Sequence, residues 1–466
     1  VMYSAPPEYH VRGAVINIVL KRSHDYSFQG EVNADYTNQY FNSGGANGNF
    51  RLSTPKMAFD VMYGANDVKK MEYMDLYSRH TLKNQVYDIR QNEQLRMKYW
   101  NHNFRTVFEY NLNDKDNLNL AYTGSFTPDQ HSNSLTSGNY QASNVDKYVE
   151  TRMHNITLQY HSGSGFDVGG DYTRYTSDNN QTLSADYTKG GQSCFFIIGG
   201  QKIDRYSIYA DRKRSLGKEW NLSYGMSYWF AKDRDFQTYD KVVGDIQTEN
   251  TDSRLHEHTA NVYVSLSKNY ATGTSVSVSA TGEYYTIGSY RKWAVYPQAS
   301  LTYVKSPEHL FQFSLSTDKT YPGYWDMQSS VSHLNGYTEL WGTPGLKPST
   351  TYNLNGNYIW KQKYIFGLFF MHTSDFFVQT GYQSTDRLAL IYKNTNWNYM
   401  QMWGANVILP FKVGNWLDSR LTLVGMQVRQ RCDDFFDIPF NRKKWMFNGS
   451  LDNTFKVSKN LALELI

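Results

Sequence analysis

The chain has 466 residues, enough for two or three ordinary domains or for one large barrel. Aromatic residues reach 16%, with 39 Tyr, against 19% charged residues, and Asn, Ser, Thr and Gly are abundant. This balance favours strands over helices. No apolar run reaches the roughly 18 residues of a membrane helix. The net charge of +4 is too small and too scattered for a nucleic-acid partner, and Cys194 and Cys432, with no CxxC pair, indicate neither a zinc site nor a disulfide framework.

The chain opens at Val1 with no signal peptide. An exported barrel needs one, so the sequence is expected to be a fragment. From residue 26 onward, short polar turns recur roughly every 40 to 60 residues, at 53–56, 113–116, 162–165, 216–219, 268–273, 305–309, 361–363, 412–415 and 456–460. Each interval holds a strand leaving one turn, a variable polar stretch, and a strand returning. The Gly-rich 42–45 reads as a hairpin turn, with no following helix to cradle a phosphate.

The segments beside the turns alternate with period two. Leu118, Leu120 and Tyr122 oppose Asn117, Asn119 and Thr123; Ile156 and Leu158 oppose Asn155, Thr157 and Gln159. Val262, Val264 and Leu266 oppose Asn261, Tyr263 and Ser265, and Phe311 and Phe313 oppose Gln312 and Ser314. One face is therefore buried in something apolar while the other meets water or a polar interior. Strands of about 10 to 14 residues suit a tilted membrane span. Trp220, Trp360 and Trp416 sit beside turns, at the level of an interfacial aromatic girdle. Long polar loops are expected at 128–148, 177–202, 233–253 and 318–349.

The fold class expected from these features is all-β: a transmembrane antiparallel β-barrel with short periplasmic turns and long extracellular loops. Eighteen strands run from about 26–37 to 445–455, and a nineteenth begins at Leu461. Bacterial single-chain barrels carry even strand numbers, and an unpaired edge in lipid is costly, so the chain is expected to continue past Ile466.

Two motifs carry a family resemblance. Pro6-Pro7-Glu8-Tyr9, followed by Gly13-Ala14-Val15-Ile16-Asn17-Ile18-Val19-Leu20-Lys21-Arg22, resembles the end of the plug domain in TonB-dependent outer-membrane receptors. Val11-Arg12 departs from the acidic or small residues usual there. Gly342-Thr343-Pro344-Gly345-Leu346-Lys347-Pro348-Ser349 is similar to the GNPxLKPE signature that precedes a late barrel strand in those receptors, with Thr343 and Ser349 in place of Asn and Glu. Tyr321-Pro322 and Trp325-Asp326 fit the aromatic stretch upstream of it. The resemblance covers essentially the whole chain and falls in the "outer membrane protein beta-barrel" branch.

The resemblance implies residues 1–22 as the end of a plug and 23–466 as most of a 22-stranded barrel, cut before closure. It implies uptake of a scarce solute (a chelate, glycan or peptide) with energy from a TonB-type protein engaged by a segment upstream. Outer-membrane lipid, that TonB-type protein, an unknown small solute and a surface lipoprotein are the implied partners, and no nucleic acid. Two other readings stay open: a non-transporting outer-membrane barrel for surface binding or assembly, and a soluble extracellular glycan-binding β-protein.

No catalytic, cofactor or metal site is expected. His256-Glu257-His258 lacks a third ligand and reads as a solvated strand end. Cys432-Asp433-Asp434 with Asp437 lacks the spacing of a calcium loop, and no nucleophile elbow occurs. The candidate ligand contacts are the aromatics of the 318–349 loop: Tyr321, Tyr324, Trp325, Tyr337 and Trp341. Such rings stack on sugars or peptides, or pack on one another to order the loop.

Overall fold

The computed structural model describes Pro7 and residues 26–244, 248–458 and 461–465. Residues 8–22, which carry most of the plug-like motif, lie outside the described residues.

The strands follow one another as an antiparallel meander. The first five are β1 (Ser27–Asn38), β2 (Asn42–Ser53), β3 (Met57–Leu82), β4 (Gln85–Asn111) and β5 (Asn117–Gly138). Then come β6 (Gln141–Ser162), β7 (Phe166–Tyr187), β8 (Gln192–Gly217), β9 (Trp220–Val243) and β10 (Thr251–Asn269). The next are β11 (Ser275–Ile287), β12 (Tyr290–Ser306) and β13 (His309–Thr320). Two short strands, β14 (Val331–His333) and β15 (Thr338–Trp341), interrupt the series. It resumes with β16 (Ser349–Trp360), β17 (Tyr364–Gln383), β18 (Leu390–Val413), β19 (Leu417–Phe435), β20 (Ile438–Ser458) and β21 (Leu461–Leu465).

β13 pairs directly with β16, so β14 and β15 belong to the connection between them. The remaining nineteen strands agree with the sequence reading, and each expected turn falls between two of them. Among the described residues, β1 and β21 have no pairing with each other.

The sheet is inside-out relative to a water-soluble domain. Val262 and Val264 are 66% and 50% exposed on the outer face of β10, whereas Tyr263 and Ser265 are 5% and 6% exposed on the inner face. Ile156, Leu158, Phe311 and Phe313 are likewise outward and exposed. The aromatic belt near the short turns is present. Lys268 Nζ lies 5.4 Å from the Trp220 ring, Trp360 packs on Tyr364 at 5.2 Å, and Trp416 stacks on Phe455 at 6.1 Å.

Two expectations need correction. The stretches 128–148, 177–202 and 233–253 are mostly not loops. They are continuations of hairpins β5–β6, β7–β8 and β9–β10, whose strands reach 19 to 26 residues. Their inner faces are buried, but largely by polar residues such as Gln141, Ser143, Gln181, Asp233 and Asp235, so a sequence with little alternating hydrophobicity still pairs its backbone as a ladder. Asn42–Gly45 opens β2 instead of forming the turn, which lies at 39–41. At Gly44 a Cβ would stand 2.9 Å from the Asp35 carbonyl oxygen, so glycine there lets the two backbones approach.

The stretch 318–349 does contain an irregular loop, with one 3-10 turn (Trp325–Met327). Among the described residues, three buried apolar clusters lie at this end of the molecule. One joins Val145, Leu183, Phe195 and Ile197; a second joins Tyr285, Ile287, Met327 and Leu346; the third joins Ile89, Tyr337 and Leu390. The compact core is thus the packed loop and hairpin ends, while the barrel wall is held by its ladder.

Candidate functional site

Inward-facing positions on β7 to β13 and the start of the loop enclose a cavity of about 570 Å³. Period two places Arg205 on β8, Trp229 on β9 and Glu257 on β10 on the same inner face. The Arg205 guanidinium lies over the Trp229 ring at 4.5 Å, and Trp229 meets the edge of Tyr321 at 5.6 Å. Tyr321 and Tyr324 come down from the loop to form the cavity's upper wall. Pro7 lines the same space.

Two buried carboxylates hold that upper wall. Glu283, 1% exposed, accepts hydrogen bonds from the Tyr321 hydroxyl at 2.7 Å and from Lys319 Nζ at 2.5 Å. Lys319 Nζ also lies 4.1 Å from the Tyr285 ring centre and 4.8 Å from that of Tyr321, so its charge is met by a carboxylate and by aromatic faces. Glu257, 4% exposed, accepts a hydrogen bond from the Tyr324 hydroxyl. Burial, reinforced by the Glu257 charge, pushes the Tyr324 phenol above its ordinary range, so it remains a donor at neutral pH.

Further along β9, past its outward apolar residues, Asp233 and Asp235 face inward, 3% and 2% exposed. Gln201 donates to one Asp233 oxygen at 3.0 Å, while Asp233 Oδ2 and Asp235 Oδ1 have no hydrogen-bond partner among the described residues. Burial, then the neighbouring Asp235 charge, pushes the Asp233 carboxyl up to about 7. Burial pushes Asp235 up to about 6.

The rest of the loop crosses to other parts of the wall. Val331 O accepts from Gln237 and Tyr239 of β9, each at 2.8 Å, and His333 O accepts from Gln181 of β7 at 2.6 Å. The Tyr337 hydroxyl reaches β3, 2.9 Å from Ser78 Oγ and 3.1 Å from His80 Nδ1. On the other side β15 pairs in parallel with Leu390–Lys393 of β18, beyond the point where β19 stops pairing with β18. Arg387 clamps Glu339 with two hydrogen bonds, 2.5 and 2.7 Å. Burial works to raise the Glu339 carboxyl, but that fork, His333 and the Trp341 indole outweigh it and hold the carboxyl below its ordinary value.

The Gly342–Ser349 motif has a physical role in this docking. A Cβ on Gly342 would stand 1.9 Å from the Gln328 carbonyl oxygen, so the loop's two arms touch there. Thr343 Oγ1 donates to Asn394 O at 2.6 Å, Lys347 N donates to Asn396 Oδ1 at 2.8 Å, and Leu346 is 2% exposed.

The structure separates the five loop aromatics. Tyr321 and Tyr324 line the cavity. Tyr337 is 1% exposed, packed against Tyr140 and His80 as part of the loop's own anchoring. Trp325 is 44% exposed, and half-buried Trp341 donates its indole N–H to Glu339 at 2.8 Å; both border a small crevice on the loop's other side. His256 and His258 point outward beside Phe230, away from the cavity into which Glu257 points. Among the described residues no group of three His, Cys, Asp or Glu side chains could hold a metal. Arg205, Trp229, Glu257, Glu283 and Lys319 escaped the sequence reading of the site; their one signal is a charge or large ring at inward parity within a strand.

The fold is shared with known receptors. The siderophore receptor PirA from Pseudomonas aeruginosa superposes with a TM-score of 0.52 at 12% identity, covering 100% of this chain and 81% of that one. The copper transporter OprC gives 0.54 at 9% identity, covering 96% and 74%. A mutant of the ferric enterobactin receptor PfeA from Pseudomonas aeruginosa, in complex with enterobactin, gives 0.53 at 11%, covering 97% and 77%. No curated protein matches the chain by sequence. The model of the outer membrane protein beta-barrel family matches residues 159–466, about two thirds of the chain. With an outward apolar band, a polar inner wall and that match, the chain is an integral outer-membrane protein and belongs to the outer membrane protein beta-barrel family.

Proposed function

We propose that this barrel takes up a scarce solute across the outer membrane with energy supplied by a TonB-type protein, and that residues 1–22 are the end of its plug. The observation that carries the reading is the inner-wall cavity. It combines stackable rings (Trp229, Tyr321, Tyr324) with fixed charges (Arg205, Glu257) beneath a loop that spans the mouth. The few polar groups among aromatic walls are the usual make-up of a small-molecule site. The plug-like motif of residues 6–22 supports the energised route, and Pro7 of that motif lines the cavity. Siderophores and copper, named for the similar structures, join glycans and peptides as solute classes to be tried.

The test is accumulation of labelled solutes from these classes in cells with and without the full-length gene. At least one should accumulate only with the gene, and accumulation should stop when the proton-motive force is collapsed. Uptake that persists without the proton-motive force would reduce the protein to a passive barrel. Surface binding with no accumulation would leave a non-transporting receptor.

A further inference from the structure

On the outer wall, above the apolar band of β7 to β10, the ladder brings cations into register. One row across the sheet reads Arg152, Thr176, Lys202, Arg234, Arg254, each directly opposite the next. The row one pleat nearer the bilayer reads His154, Arg174, Asp204, Lys232, His256. Below that come rings, Tyr172, Tyr206, Phe230 and His258, and then the lipid-facing Ile208, Tyr228, Met226 and Val262. Every Lys and Arg in the two rows is exposed.

Like charges directly opposite one another destabilise a sheet, and Lys202, Arg234 and Arg254 occupy three consecutive strands that lie about 4.8 Å apart. The row above supplies Glu150, Asp178 and Asp252. Glu150 pairs with Arg152, while Asp252 is shared between Arg234 at 2.9 Å and Arg254 at 3.9 Å. Asp204 is shared between Arg174 at 3.9 Å and Lys202 at 4.0 Å. Lys232 Nζ lies 5.5 Å from the Phe230 ring and forms no ion pair among the described residues. Four of the cations therefore divide two carboxylates, a fifth has none, and all of them stand directly above rings that mark the edge of the hydrocarbon.

We propose that this surface binds the phosphorylated headgroup of an outer-leaflet lipid. The phosphate lies across Lys202, Lys232, Arg234 and Arg254, and the acyl chains run down the Ile208, Met226 and Val262 face. The placement selects a lipid over a soluble anion, because the apolar surface that continues below the cations fits a tail attached to the phosphate. A guanidinium row also suits phosphate oxygens better than isolated ammonium groups do.

The full-length protein in phosphatidylcholine nanodiscs, titrated with a diphosphorylated glucosamine lipid and read by native mass spectrometry, tests this. Each cation near a charged lipid surface contributes about fivefold in affinity, so K202Q/K232Q/R234Q/R254Q should weaken binding by about 600-fold. K361Q/K363Q/K412Q/K456Q, which removes the same charge at the short-turn rim, should leave affinity unchanged. Heat-modifiable electrophoretic mobility identifies folded barrels for both variants. A loss under about tenfold in the first variant, or an equal loss in the second, overturns the proposal. Inorganic phosphate bound as tightly as the lipid would assign the row to a soluble anion and overturn it too.

Discussion

Lys319 Nζ stands 2.5 Å from Glu283 Oε1, and both side chains are at most 2% exposed. This buried ion pair ties the end of β13 to β11, and the same Glu283 accepts from Tyr321 where the loop begins. Removing one partner leaves an uncompensated charge, whereas removing both leaves none. Glu283→Gln or Lys319→Met alone should therefore cost about 3 to 5 kcal/mol in urea unfolding of the detergent-solubilised protein. The double substitution should recover most of that loss.

Asp233 and Asp235 set a pH dependence of definite sign. Their carboxyls are raised in the folded state, Asp233 to about 7 and Asp235 to about 6, so between the ordinary carboxylate range and those values the unfolded chain is the more ionised. Stability from these groups is full below about pH 4 and is lost as pH rises through 6 and 7. Asp233→Asn should stabilise the folded state at pH 8, by at most about 4 kcal/mol, and so raise the melting temperature. Its advantage should vanish near pH 4. A pH series of thermal melts of wild type and variant gives the comparison.

The Glu339–Arg387 clamp carries the opposite sign. Its carboxylate is held below the ordinary value, so its stabilisation is present at neutral pH and disappears as pH falls through the lowered folded-state pKa. Arg387 is 35% exposed, which limits its share through solvent screening. Arg387→Ala should make amides 338–341 exchange faster with deuterium at pH 7. The difference from wild type should narrow in acid.

Tyr337 anchors the far end of the loop by packing and by hydroxyl contacts to Ser78 and His80. Tyr337→Phe should cost about 1 kcal/mol, since it removes the hydroxyl and keeps the ring. Tyr337→Ala should cost about 3 to 5 kcal/mol. Limited proteolysis between residues 331 and 341 should be slow in the first variant and fast in the second.

Gly342→Ala probes the family-like motif. The added methyl carbon would meet the Gln328 carbonyl oxygen at 1.9 Å, so the two arms of the loop must part. The strands of the barrel wall should stay intact, seen as unchanged heat-modifiable mobility. Protease sensitivity should rise within 325–345. A protease pattern identical to wild type would count against the described docking of the loop.

The barrel was legible in the sequence because its determinants are local. Side chains alternate with a period of two, so Val262 and Val264 against Tyr263 and Ser265 reveals the two faces without any partner strand. The short turns are specified by a few polar residues. Lys218 and Glu219, for instance, both adopt positive φ, +48° and +66°, in a two-residue hairpin. The long outer hairpins were read as loops because many of their buried inward positions are polar (Gln141, Ser143, Gln181, Asp233, Asp235 and Gln237), so burial alternates along the strand while hydrophobicity does not.

The candidate site was legible only in part, since it depends on where the loop lands. Tyr321 and Tyr337 look alike in sequence, but one lines the cavity and the other is buried against β3. Glu257 appeared between two histidines as a piece of a strand end, and only its inward parity joins it to Tyr324. The contact between Ser78 and Tyr337 spans 259 residues. Alternation and turn chemistry determined that this chain spans a bilayer with a polar interior. Which inward charges meet, and which aromatics remain open to a solute, was decided by tertiary packing, because those contacts join distant residues whose local sequences carry no trace of one another.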